Sequence, residues 1–212
     1  MSKIRLIGFD VNGTLFDDTS LFLKAINGIF PRFGQPEPPE DVLRQRFGQP
    51  WTKIYREAGI TEAMASEADL YKLYNEFYLA GPGPKPFPGV KKALEWLLSK
   101  HVDLFIVSAQ QNAITEALLK TYDLDDMFLR VVGSVGDKAA AIRQLYDLID
   151  ATADETAYMG DQEGDIKHAK KAGCVSIAFA AKNGLHGEER LQKAVPDHLI
   201  HKYADFKKLP IF

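Results

Sequence analysis

A carboxylate at residue 10 follows the apolar run Ile4-Arg5-Leu6-Ile7-Gly8-Phe9. A run of this kind predicts a buried strand, and the loop at its C-terminal end then reads Asp10-Val11-Asn12-Gly13-Thr14-Leu15. In open α/β sheets, ligands bind outside the carboxyl ends of the strands. Asp10 is therefore a candidate nucleophile or metal ligand. Asn-Gly is also a strong turn signal, so a plain turn after a strand is the alternative.

Three further segments place reactive side chains at or just beyond predicted elements. Ser108 follows the predicted strand 102–107, and its hydroxyl can hold an oxygen of an anion. Lys138 begins a predicted helix, where its ammonium can neutralise negative charge. The acidic loop Gly160-Asp161-Gln162-Glu163-Gly164-Asp165 follows the predicted strand 156–159 and suits Mg²⁺, which prefers oxygen ligands. Taken singly, the three segments could be a helix cap, a solvated helix residue and acids at a helix N-terminus.

Helix and strand patterns alternate through the second part of the sequence. Strands are predicted at 102–107, 129–132, 156–159 and 175–178, and helices at 90–98, 113–120, 138–149 and 166–172. Alternation of this kind implies βαβ units and a parallel sheet. We therefore expect an α/β fold with a doubly wound, Rossmann-like parallel sheet that includes the N-terminal strand.

The region between the first strand and this alternating part has helical periodicity only. Helices are expected within 19–79, including 41–47, 51–58 and 62–79, with Pro- and Gly-rich breakers between them. A stiff Pro/Gly-rich link follows at 81–89. The pattern predicts a helical cap domain, 17–86, inserted into a core formed by 1–16 and 87–212.

The four reactive segments, taken in order, resemble the signatures of the haloacid dehalogenase superfamily, the first of which is Asp-x-Asp-Gly-Thr. The segment Phe87-Pro88-Gly89-Val90, which leads into the helix predicted over 90–98, resembles the corresponding segment of the branch that contains phosphoglycolate phosphatases and β-phosphoglucomutases. The resemblance implies a Mg²⁺-dependent hydrolase, a phosphatase that acts on a small phosphorylated metabolite through an aspartyl-phosphate intermediate.

The resemblance also implies a role for each residue. Asp10 would be the nucleophile, and Ser108 and Lys138 would hold the phosphoryl group. The implied ligands of Mg²⁺ are Asp10, the backbone carbonyl of Asn12, Asp161 and, as a ligand or beside one, Asp165.

Asn12 departs from the family signature, in which a second Asp protonates the leaving group and then activates water. An amide does neither, and loss of a positioned general acid/base typically lowers the rate by ~10²–10⁴. Three interpretations stay open. The chain is a natural phosphatase in which Asp17 or Asp18 relays the proton, a sequence altered to trap the phospho-enzyme, or a protein that has moved to phosphonate cleavage or to non-catalytic phosphate binding and regulation.

The resemblance places residues 48–53 in a cap loop that reaches the substrate, which makes Gly48, Trp51 and Lys53 candidate substrate-binding residues. Lys53 would form a Schiff base if the chain cleaved a C–P bond as phosphonoacetaldehyde hydrolases do. The alternatives are a solvated helix residue for Lys53 and cap core for Trp51.

Composition restricts the partners. The 26 basic and 29 acidic side chains give a net charge of −3, with no long run of either sign. We expect a small-molecule partner rather than nucleic acid or a membrane surface. A single cysteine and the lack of a signal-peptide or membrane-helix pattern favour a cytoplasmic protein. The sequence does not determine the oligomeric state.

Overall fold

A computed structural model of the chain describes residues 3–48, 50–146 and 149–212. The chain divides into two compact units. One combines the residues up to Asp17 with Pro86–Phe212, and the other is Asp18–Lys85. The short strands β2 (Phe16–Asp17) and β3 (Lys85–Pro86) lie where the chain passes from one unit to the other.

The first unit is built on a six-stranded sheet in which every neighbouring pair of strands is parallel. Its strands are β1 (Leu6–Phe9), β4 (Asp103–Val107), β5 (Arg130–Val132), β6 (Thr156–Gly160), β7 (Val175–Phe179) and β8 (His198–Ile200). Their spatial order is β5-β4-β1-β6-β7-β8. When the six strands of this sheet are numbered one to six along the chain, the spatial order is 3-2-1-4-5-6, which is the doubly wound Rossmann arrangement. The predicted fold class is therefore confirmed.

Apolar runs place β1 and its neighbours at the centre of this sheet. All four residues of β1 and all five of β6 are buried, as expected of parallel strands covered on both faces. The helices of this unit are α5 (Val90–Ser99), α6 (Asn112–Thr121), α7 (Lys138–Tyr146), α8 (Glu163–Ala172) and α9 (Glu188–Lys193). Phe9, Leu94 and Phe206 are among the side chains of its largest hydrophobic core.

The second unit is helical, with α1 (Thr19–Ile29), α2 (Glu40–Arg46), α3 (Lys53–Glu57) and α4 (Glu67–Leu79). Helices α1 and α4 pack against each other, and the buried Tyr55 hydroxyl donates to the Ile26 carbonyl at 3.1 Å. A capping box fixes the start of α4, because Ser66 Oγ accepts the Asp69 N–H and the Asp69 carboxylate accepts the Ser66 N–H.

Several predicted boundaries were wrong for local reasons. The helix predicted over 62–79 begins at Glu67, where the Ser66 cap starts it, and the one predicted from residue 51 begins at Lys53, which leaves Trp51 in a turn. The α9 helix and the β8 strand were not predicted individually. Residues 147 and 148 of the helix predicted over 138–149 lie outside the described residues.

Among the described residues, no helix combines the length and apolar character needed to cross a lipid bilayer.

Candidate active site

The sheet order reverses between β1 and β6, and two of the predicted site residues follow these strands. Phe9 and Met159 are paired in the parallel register, and the Asp10 N–H donates to the Met159 carbonyl at 2.9 Å. Asp10 comes directly after β1, and Asp161 directly after β6. Ligands of doubly wound sheets bind at this kind of switch point.

Three carboxylates meet there. One oxygen from each of Asp10, Asp161 and Asp165 lies within 4.8 Å of the others, and all three residues are at most 4% exposed. Thr14 Oγ1 donates to Asp161 Oδ1 at 3.3 Å, and the Tyr203 hydroxyl donates to the Thr14 carbonyl at 2.8 Å. The loop after β1 is therefore tied both to the acidic loop and to the C-terminal part of the chain.

Lys138 enters this cluster from the start of α7. Its Nζ lies 3.0 Å from Asp10 Oδ2 and 2.7 Å from Asp165 Oδ1. The Asp137 carboxylate accepts the Ala139 N–H and so fixes the first turn of the helix. Burial by itself would lower the pKa of Lys138, but the two carboxylates outweigh it and hold that pKa well above its ordinary value. The sequence left open a solvated Lys138, and the structure shows it buried.

Asp10 is under opposing electrostatic influences. Burial raises its pKa, the ammonium of Lys138 lowers it, and the nearby Asp165 raises it, so the pKa lies above its usual value. While Oδ2 pairs with Lys138, the buried Oδ1 has no hydrogen-bond partner among the residues that the structure describes. A buried carboxylate oxygen without a partner is unfavourable unless a ligand or a metal takes it.

These residues fit a divalent cation. Three buried carboxylates meet here, Lys138 pairs with two of them, Asp10 and Asp165, and all the donor atoms of the three side chains are oxygens. Mg²⁺ prefers such ligands, and its charge would offset the repulsion among the carboxylates. Asp10, Asp161 and the Asn12 carbonyl are the groups that would hold it. Asp165 Oδ1 binds Lys138 and its Oδ2 accepts the Gln162 N–H at 3.0 Å, so both oxygens already have partners.

Two glycines let the backbone approach these carboxylates. Gly13 has a φ of 68°, in the left-handed region, and a Cβ there would overlap the Asp161 carboxylate. A Cβ on Gly160 would overlap the Asp165 side chain. Only glycine permits this packing at either position.

Ser108 lies at the end of β4, the neighbour of β1 on its other side. Its N–H donates to the Val132 carbonyl at 3.0 Å, and its buried Oγ accepts the Gln110 N–H at 3.2 Å. Gln110 was not singled out in the sequence. It is 6% exposed, and neither polar atom of its side-chain amide has a hydrogen-bond partner in the described ranges of the chain.

Asn12 is half-buried in the loop after β1 and forms an isolated bridge with Phe16. The Val11 carbonyl accepts the Leu15 N–H at 2.9 Å, which closes the turn, and the Gly13 N–H donates to the Phe16 carbonyl at 3.0 Å across the bridge. The turn expected from Asn-Gly is therefore present, and it coexists with the carboxylate cluster.

The predicted cap residues lie in the second unit. Gly48 is half-buried, and Trp51 Nε1 donates to Glu67 at 2.9 Å while its ring contacts a group of tyrosines, Tyr55, Tyr71 and Tyr74. Lys53 is exposed and lies 3.6 Å from Glu57 one turn along α3. The substrate-binding roles of Gly48, Trp51 and Lys53 stay predictions.

A family model supports the interpretation that this geometry favours. The model described as haloacid dehalogenase-like hydrolase matches residues 7–179, which is most of the chain. The chain belongs to the haloacid dehalogenase-like hydrolase family.

Relatives within this family are phosphatases. The chain is 25% identical to a phosphoglycolate phosphatase of Aquifex aeolicus, over 97% of this chain and 96% of that protein. It is 22% identical to a phosphoglycolate phosphatase of Mannheimia succiniciproducens, over 98% of this chain and 99% of that protein. A haloacid dehalogenase-like hydrolase of Streptococcus pneumoniae has the same fold, with a TM-score of 0.81, 24% identity and 97% coverage of both chains. The predicted phosphatase branch of the family is confirmed.

Proposed function

We propose that this haloacid dehalogenase-like hydrolase cleaves the phosphate monoester of a small metabolite in a Mg²⁺-dependent reaction with Asp10 as nucleophile. The observation behind this proposal is the state of the Asp10 carboxylate: Lys138 holds its Oδ2, and within the described part of the chain its buried Oδ1 has no hydrogen-bond partner. An anionic nucleophile approaches a phosphate ester only where positive charge offsets the repulsion. Bound Mg²⁺ would supply that charge beside the phosphoryl oxygens.

The chain's own residues perform the two displacement steps. Asp10 attacks phosphorus, the bond to the leaving oxygen breaks, and the carboxylate becomes an acyl phosphate. Water then attacks that phosphorus, phosphate leaves, and Asp10 returns to a carboxylate. Lys138 and Ser108 hold the phosphoryl oxygens during both steps. Asn12 donates no proton, so the leaving oxygen takes its proton from water or from another group.

The names of the relatives make 2-phosphoglycolate the first substrate to test. A cytoplasmic location is part of the same proposal, because the single Cys174 is buried and has no cysteine partner. The C–P cleavage alternative is not favoured. Lys53, whose amine would form the Schiff base, is exposed and pairs with Glu57 at 3.6 Å.

The test measures phosphate release from 2-phosphoglycolate, acetyl phosphate and p-nitrophenyl phosphate, with Mg²⁺ or with a chelator. Asp10→Asn is the matched control, because it keeps the size of the side chain and removes the nucleophile. We expect Mg²⁺-dependent release by the natural chain and none by Asp10→Asn. Acid quenching after addition of acetyl phosphate should reveal one phosphoryl group bound at Asp10 by mass spectrometry. Equal turnover by Asp10→Asn would refute the proposal.

A further inference from the structure

His186 lies between β7 and α9, outside the four reactive segments, and is only 2% exposed. Its ring nitrogen Nδ1 accepts a hydrogen bond from the backbone N–H of Glu163 at 3.0 Å. A ring nitrogen that accepts a hydrogen bond carries no proton, so this contact requires a neutral imidazole with its proton on Nε2.

Glu163 is the first residue of α8, and it lies between two members of the carboxylate cluster, Asp161 and Asp165. The first N–H groups of a helix have no partner within the helix. Here the Gln162 N–H is taken by Asp165, and the Glu163 N–H is taken by His186. The two N–H groups that follow Asp161 are thus both held, the first by Asp165 of the same acidic loop and the second by His186 of a later segment.

The same segment also holds the Glu163 side chain. Arg190, four residues after His186 and on α9, donates from Nε to Glu163 Oε2 at 3.2 Å. Lys167 pairs with the other carboxylate oxygen. His186 and Arg190 therefore hold both the backbone and the side chain of the residue with which α8 begins.

We propose that His186 is a positioning residue for the metal site, acting through the Glu163 N–H. The proposal depends on the function proposed above. Asp161 and Asp165 repel each other and Asp10 in a buried environment, so a loop free to relax would separate them. By fixing the start of α8, His186 keeps the carboxylates close enough to share one cation. Partners that orient metal ligands in this way typically contribute about 10- to 100-fold to metal affinity.

Two amide substitutions test this without relying on turnover. In His186→Asn the side-chain oxygen reaches the place of Nδ1, and in His186→Gln it reaches the place of Nε2. Both residues are polar and similar in size, but only Asn keeps the acceptor for the Glu163 N–H. Mn²⁺ serves as the probe, and its binding is followed by the electron paramagnetic resonance signal of the free ion, with no substrate present.

We expect the natural chain and His186→Asn to bind Mn²⁺ within about threefold of each other, and His186→Gln to bind it about 10- to 100-fold more weakly. Amide hydrogen exchange gives a second readout, because the Glu163 N–H should exchange faster in His186→Gln than in His186→Asn. Equal Mn²⁺ affinity and equal amide exchange in the two variants would overturn the role of His186 and leave the proposed metal site standing. A natural chain that binds no Mn²⁺ would overturn both this role and the proposed metal site.

Discussion

Replacement of Lys138 by methionine tests whether the carboxylate cluster depends on a buried counter-charge. Methionine keeps most of the length of the side chain and removes the ammonium that lies 3.0 Å from Asp10 and 2.7 Å from Asp165. Both carboxylates are buried, so water does not replace the lost partner.

The size of the effect follows from these distances. At an effective dielectric constant of about 20, unit charges at such separations attract by about 5–6 kcal/mol for each pair. Desolvation of the buried ions offsets much of this, and removing one partner of a buried pair typically costs about 3–5 kcal/mol. We expect Lys138→Met to lower the free energy of unfolding by about 3–5 kcal/mol near neutral pH, in metal-free buffer.

The effect should also depend on pH. Burial already raises the pKa of Asp10 with Lys138 present, and without the ammonium that pKa rises further. A carboxyl group whose pKa is higher in the folded state favours folding below its unfolded pKa and loses that contribution as pH rises through the folded value. The destabilisation by Lys138→Met should therefore be smaller at about pH 5 than at about pH 7.

Urea unfolding followed by circular dichroism, with a chelator present, measures both effects. Lys171→Met is the matched control, because Lys171 forms an ion pair of similar length, 2.8 Å, with the exposed Asp137. Exposed pairs contribute little, so this control should unfold almost as the natural chain does. Adding Asp165→Asn to Lys138→Met should recover stability, since it removes one unpaired charge. If Lys138→Met unfolded like Lys171→Met at every pH, the electrostatic reasoning would be wrong.

Three further substitutions test single features of the site. Asn12→Asp restores a proton-transfer group, so phosphate release from alkyl phosphates should rise by about 10²–10⁴. Release from acetyl phosphate should rise much less, because its leaving group, acetate, is already a stable anion, and equal gains would argue against a role in proton transfer. Gly13→Ala forces a Cβ against Asp161 at a φ of 68°, so Mn²⁺ binding should be lost and stability should fall by about 1–3 kcal/mol. Gln110→Leu removes a buried amide without hydrogen-bond partners and should raise the urea midpoint, whereas a lower midpoint would show that the amide is stabilising.

Much of the first unit could be predicted from its apolar runs. The four later predicted strands each differ from the observed strand by one residue at one end, because a strand buried on both faces reads as a continuous apolar run. The carboxyl ends of neighbouring parallel strands share one edge of the sheet. This rule is why Asp10 and Asp161, which are far apart in sequence, could be expected in one site.

Other parts of the site carry no local signal. Lys138 at the start of a helix reads as a solvated residue, and only the carboxylates of two other segments explain its burial. His186 is a lone histidine whose partner is a backbone N–H, and Gln110 is a glutamine in a loop. The contacts of Lys138 and His186 join segments that no spacing rule connects.

The charge of the cluster links folding to catalysis. An apolar core would be more stable at this position than three buried carboxylates, since pairing with Lys138 satisfies only part of their charge. The remaining negative charge is unfavourable in the protein alone and becomes favourable when a cation binds, because a ligand that prefers the folded state stabilises it. The features that oppose folding here are those that would create affinity for a metal and keep Asp10 oriented. Gly13 and Gly160 belong to the same arrangement, because each permits a backbone approach to a carboxylate that any other residue would prevent.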